Sequence, residues 1–178
     1  EEIGGGYVAM FEWTDGDCMG RMYPKSCKRF MSMPLETKLC VFEDILLFHA
    51  HVHEKGYVAI DFYDGSIIYD FGKEKTMICD IDFYAKKPYI NQLGRLWGSS
   101  RYMSLEEFTL GAEIDELTNV YTMGATAFAL FSDYDRSLEK WLLNGKLYKV
   151  ANKAVSDERE LRQQSMQQLI DEWRAAKT

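Results

Sequence analysis

The chain has 178 residues, 47% of them hydrophobic and 28% charged, and carries a formal net charge of −7. Length and composition fit one soluble globular domain with a core of its own, and no apolar run is long enough to span a bilayer. The acidic balance argues against a nucleic-acid partner, and the four cysteines, none in a C-x-x-C pair, read as reduced thiols of a cytoplasmic protein.

In chain order, the first element expected is a strand over "YVAMFEW", aromatic and branched, ended by the turn-forming "TDGD". Residues 35–55 read as a helix, with Leu35, Leu39, Phe42, Leu46 and His49 drawing an apolar stripe at three- and four-residue steps, and Gly56 stops it. The three histidines fall at its end, in "FHAHVHEK". At helical spacing only His49 and His53 share a face, so they read as ordinary helix-end residues rather than a metal site. Short β-like runs follow, "YVAIDFY", "SIIYDF" and "TMICDID", parted by "DG" and "GKEK" turns. The stretch from Tyr84 to about Ser104 has little periodicity, and long irregular segments in compact domains are usually functional. "ELTNVYTMGATAFALF" is apolar nearly all round, which predicts a buried central helix. The C-terminal region is helical again, with Ser165 and Gln168 spaced as a capping box.

The order of these pieces, "GYVAIDFYDGSIIYD", "ICDIDFY", "WGSSRYMSLEEF", "IDELTNVYTMG" and "VSDERELRQQS", resembles the C-terminal lobe of a eukaryotic-type Ser/Thr protein kinase over nearly the whole chain. The resemblance implies a mainly α fold with a few short strands, as one domain over 1–178. Within it, 1–18 would be the hinge strand and turn, 57–82 the catalytic and metal loops, 82–106 the activation segment, and 107–178 the helical remainder. The family's His-Arg-Asp catalytic loop, laid on "AIDFYDGS", makes Asp61 the residue that orients the attacking hydroxyl and accepts its proton. The magnesium-holding asparagine falls on Ser66. The Asp-Phe-Gly motif falls on Asp82, Phe83 and Tyr84, so Asp82 would hold magnesium on the ATP phosphates and Asp80 would be incidental. Glu106 ends the family's Gly-Thr-x-x-Tyr-Met-Ala-Pro-Glu run, read here from Gly98, and would pair with Arg162. Asn119 would hydrogen-bond the catalytic-loop backbone, with Gly124 five residues on. At the hinge, Phe11 would be the gatekeeper, Glu12 and Thr14 would offer backbone groups to adenine, and Ile68 would lie beneath the base.

The chain departs from that pattern at several positions. Ala59 and Ile60 replace His-Arg, Tyr63 replaces a lysine that would offset phosphoryl charge, and Tyr84 replaces a flexible glycine. No glycine-rich phosphate loop or strand lysine precedes the hinge, so the resemblance implies half an ATP site and a missing N-terminal lobe of the same parent protein. The opening on Glu1 gives the same expectation of a longer protein. The expected activity of the parent is transfer of the ATP γ-phosphate to a protein or peptide Ser/Thr hydroxyl with Mg2+. A pseudokinase module is the second reading. A small-molecule phosphotransferase of the aminoglycoside or choline type is the third.

Overall fold

The computed structural model describes residues 13–177 continuously, preceded by Met10, Phe11 and the backbone of residues 2–3 and 6–7. Its strands are short and antiparallel. β1 (Glu2–Ile3) pairs with β2 (Gly6–Tyr7). β3 (Asp17–Cys18) arises inside the expected "TDGD" turn, and neither Met10, Phe11 nor Trp13 is in a strand.

Helix α1 (Pro24–Met31) begins with proline at its first turn, where no backbone donor is required, and buries only Phe30. Its charged sequence gave no stripe to read. Helix α2 (Leu35–Glu54) matches the expected span, with its buried face rotated from the expected one. Leu35 is exposed and Leu39 half-buried, while Lys38, Val41, Phe42, Ile45, Leu46 and His49 face inward. Lys38 can lie in the core because its ammonium donates to the carbonyls of Met31 and Leu130 at 3.4 and 3.3 Å.

After Gly56 the chain forms β4 (Tyr57–Val58), a 3₁₀ turn at Asp64–Ser66, β5 (Ile67–Asp70) and β6 (Lys75–Ile78). β5 lies at the centre of a three-stranded sheet, with Cys18 of β3 opposite Ile68 on one side and Met77 of β6 opposite it on the other. Alternation sends Ile67 and Tyr69 into the core and leaves Ile68 half-buried on the opposite face. The irregular stretch acquires structure through two small ladders: β7 (Ala85–Lys86) pairs with β4, and β8 (Tyr89–Ile90) with β9 (Glu113–Ile114). Beneath it Val58, Ile60, Leu96, Met103 and Ile114 form a small core of their own. That core explains how a segment without periodicity is held.

Helix α3 (Glu116–Ser132) is buried at every position from Thr118 to Ser132. Asp115 caps it by accepting from the backbone of Leu117 and Thr118. Around it pack α2, α4 (Gly145–Ala154) and α5 (Met166–Lys177). The closest approach is at Gly124, where a Cβ would meet Ala154 Cβ at 2.7 Å and Val155 Cγ1 at 2.9 Å. At the start of α5 the Ser165 hydroxyl accepts from Gln168 N at 3.0 Å, but the Gln168 side chain reaches one residue further back, to Gln164 N at 2.8 Å. No helix among the described residues is long and apolar enough to cross a membrane.

Candidate functional site

The site forms where the sheet meets the loops around Asp61. A cavity of about 310 Å³ lies on the half-buried face of β5 and β6, lined by Phe11, Thr14, Ile68, Met77, Ile78, Cys79, Asp80, Ile81 and Asp82. That volume is at the lower end of the roughly 300–1,000 Å³ of small-molecule sites. Gly16 brings the segment before β3 close to the sheet, since a Cβ there would lie 2.6 Å from Ile68 Cγ2. Of the residues expected at the nucleotide, Phe11, Thr14, Ile68 and Asp82 meet at this cavity. Glu12 lies outside the described residues.

Asp61 does not line the cavity. It sits just after β4 in the left-handed region (φ 63), a conformation Asp tolerates better than most residues. Burial, and after it the negative charge of Asp80, push its carboxyl up from the ordinary value, against the opposing pull of Arg95. Asp80, set aside by the sequence reading, is therefore the acid that acts on Asp61, and it too has a left-handed backbone (φ 58) while lining the cavity. Asp82 is exposed on the same turn. β6 ends at Ile78, two residues before Asp80 and four before Asp82, a boundary inside the run "TMICDID" that the sequence reading did not draw.

Ser66 lies elsewhere. It is fully buried, its Oγ has no hydrogen-bond partner, and it does not line the cavity. Tyr63 folds back over Gly65, whose Cβ would stand 2.4 Å from the ring, and it lies within the fields of Asp80 and Asp61. The neighbouring Asp64, not singled out in the sequence, is buried and accepts a hydrogen bond from Tyr134, which also meets Tyr102.

Two neighbours hold the Asp61 loop, and a third contact anchors the acidic turn beside it. Asn119 on α3 binds both backbone groups of Ala59, accepting from its N–H at 2.9 Å and donating to its carbonyl at 2.8 Å. Gly98, at φ 133, passes so close that a Cβ would stand 3.3 Å from Asp61 Oδ1. Beyond the acidic turn, the Tyr84 hydroxyl meets His49 Nε2 at 2.9 Å while His49 Nδ1 faces the Ile45 carbonyl at 2.8 Å. Burial holds the His49 imidazole neutral, with its pKa down to about 4, and pushes the Tyr84 phenol well up. His53, its expected face-mate, pairs instead with Glu116 at 2.7 Å.

Glu106 and Arg162 meet in a two-pronged contact at 2.6 and 3.1 Å, both buried. The pair is part of a larger network: Arg159 and Thr118 also donate to Glu106, at 2.7 and 3.1 Å, and Arg159 bridges to Asp115 at 2.7 Å. Burial would raise the Glu106 carboxyl, but the Arg162 hydrogen bonds and the two guanidinium charges outweigh it and bring the pKa to about 2. The next residue behaves oppositely: burial pushes Glu107 up to about 7 while its carboxylate accepts from the backbone and hydroxyl of Ser104.

The donor set can be tested against magnesium. Among the described residues no three His, Cys, Asp or Glu side chains cluster as a self-sufficient metal cage. Mg2+ bound with phosphates asks for less, commonly one or two carboxylates. Asp80 and Asp82, hard oxygen donors on one turn at the cavity wall, fit that demand; the buried Ser66 does not.

No protein-family model and no curated protein matches the sequence. Solved structures do match, among them one titled "Structure of the Cydia pomonella Granulovirus kinase, PK-1". The two share 13% identity with a TM-score of 0.63, covering 77% of this chain. The chain spans 57% of that kinase's length. The likeness shows a kinase-like fold, in keeping with a mainly helical chain carrying a few short antiparallel strands.

Proposed function

We propose that this chain is the C-terminal lobe of a Ser/Thr protein-kinase-type phosphotransferase and contributes the lower half of an ATP site. The observation that carries the reading is the convergence of Asp61 and Asp80, two acids from separate loops, beside a cavity walled by Ile68 and the hinge residues Phe11 and Thr14. Adenine would lie against Ile68, with Thr14 offering backbone groups. Asp80, with Asp82 beside it, would hold Mg2+, which when bound neutralises charge on the phosphates. Asp61 would orient an acceptor hydroxyl and take its proton. Its raised pKa makes it a better proton acceptor than an ordinary aspartate. A protein or peptide acceptor is favoured because the segment from Gly98 to Glu106 starts against Asp61 and is pinned at its far end by Arg162.

The test is phosphoryl transfer from ATP to a protein acceptor, measured on the protein together with its N-terminal lobe. Asp61→Asn and Asp80→Asn should each lower turnover at least ~100-fold, and Asp82→Asn less. Loss with Asp82→Asn but not Asp80→Asn would return the metal role to Asp82.

A pseudokinase is the second reading, favoured by Ser66. The residue at the family's second magnesium position is sealed in the core and cannot reach a phosphate-bound ion from there. Nucleotide binding without transfer to any protein or small-molecule hydroxyl would establish that reading.

A further inference from the structure

We propose, on the phosphotransferase reading above, that Arg95 is the cation facing the transferred phosphoryl group, in place of the lysine that Tyr63 displaces. In the step considered, the acceptor hydroxyl oxygen forms a bond to the γ-phosphorus and its proton passes to Asp61. The bond from that phosphorus to the β–γ bridging oxygen breaks, and ADP departs with the electron pair. Negative charge spread over the three equatorial oxygens needs a positive partner fixed in advance. Position 63 supplies a phenol folded over Gly65.

Arg95 has the placement and the free capacity. It lies three residues before Gly98, which passes against Asp61, and its charge acts on the Asp61 carboxyl. Its Nη2 donates to the Gly98 carbonyl at 3.0 Å and to Ser100 Oγ at 3.2 Å, and its Nη1 to the Leu96 carbonyl at 3.0 Å. Gly98 in turn lies against the Asp61 carboxylate, so one residue links the guanidinium to the proton acceptor. These bonds use three of the five N–H groups of arginine without neutralising its charge, and the guanidinium carbon also lies 5.6 Å from the centre of the Phe108 ring. Among the described residues Arg95 forms no ion pair, unlike Arg159 and Arg162, and its side chain is exposed. Gly98 is required for the arrangement, because its φ of 133 is a glycine conformation and a Cβ would press on Asp61.

A purely local role, in which Arg95 only ties its own loop, makes a different prediction. Calorimetry would compare Mg-ADP with Mg-ADP plus aluminium fluoride, a mimic of the phosphoryl in flight, on the protein with its N-terminal lobe. Wild type should bind the fluoride complex at least ~10-fold more tightly than Mg-ADP. Arg95→Ala and Arg95→Gln should lose that tightening while Mg-ADP affinity changes less than about twofold, and turnover should fall ~100-fold with KM for ATP nearly unchanged. Arg95→Gln retains amide donors for the loop carbonyl, so it separates loss of charge from loss of loop structure. Full tightening in both variants would overturn the inference while leaving the phosphotransferase reading intact. Mg-ADP binding without tightening in wild type would overturn the inference in favour of the pseudokinase. Absence of nucleotide binding in wild type would overturn both.

Discussion

Removal of the Arg162 guanidinium tests the long-range register of the fold. The side chain is 1% exposed and donates to Glu106 twice, to the Ser156 carbonyl at 2.7 Å and to the Leu117 carbonyl at 3.0 Å. Breaking a buried ion pair from one side costs about 3–5 kcal/mol. The fall of the Glu106 pKa from the ordinary 4.5 to about 2, the net of burial against both guanidiniums and its hydrogen bonds, corresponds to roughly 3 kcal/mol for the whole network, at about 1.4 kcal/mol per unit. In Arg162→Ala, Arg159 and Thr118 still serve Glu106, so the loss should be near the lower figure, about 3 kcal/mol. Glu106→Ala strands a fully buried guanidinium and should approach about 5 kcal/mol. For a chain of this size about 3 kcal/mol lowers the melting temperature by roughly 6–12 °C. Because the folded pKa of Glu106 is depressed, its contribution is complete above pH 4.5 and lost as the pH falls towards 2. The gap between wild type and Glu106→Gln should therefore close between roughly pH 5 and 2. Thermal melts followed by circular dichroism measure the first effect, and urea unfolding across pH the second. An Arg162→Ala melt within ~2 °C of wild type would refute the reasoning.

Glu107 should show the opposite pH dependence. Its folded pKa is raised to about 7, so its stabilising share is present below pH 4.5 and lost as the pH rises through 7, and Glu107→Gln should gain on wild type between pH 5 and 8 by on the order of 1–3 kcal/mol. Equal pH profiles in chemical denaturation would show that the carboxyl is not buried as described. Gly124→Ala should destabilise by about 1–3 kcal/mol through overpacking of α3 on α4, and a neutral result in thermal melts would mean that the two helices are further apart. Asn119→Ala leaves both backbone groups of Ala59 unpaired and should cost about 2–4 kcal/mol. Hydrogen exchange at Ala59 should then accelerate while the amides of α5 keep their protection, and an unchanged rate at Ala59 would show that the Asn119 contacts do not hold the loop.

The features legible in the sequence were those that act through a run of residues. The continuous apolar surface of α3 required burial on all sides, and the span of α2 followed from its period. Order along the chain brought Glu106 towards Arg162 across more than fifty residues. What stayed hidden depends on neighbours that no local pattern encodes. The rotated face of α2 is set by its packing against α3, α5, β4 and β6 and by carbonyls that satisfy Lys38. The pairing of Asp80 with Asp61 was missed because both aspartates of "DID" satisfy the same residue type, and only the end of β6 distinguishes them. Arg159 in the Glu106 network had no signal beyond being one more charged residue on a polar turn.

The contact between His49 and Tyr84 bears on how far the acidic turn can move. Swinging that turn away from the sheet would leave a neutral imidazole nitrogen in the core and take a phenol from its partner, each costing about 1–3 kcal/mol. At about 3 kcal/mol the displaced arrangement would make up under ~1% of molecules at rest. The turn carrying Asp80 and Asp82 is thus anchored to the long helix α2 through the residue that follows it. A displacement of α2 that parted His49 from Tyr84 would therefore be felt at the acidic turn without any change inside the cleft itself.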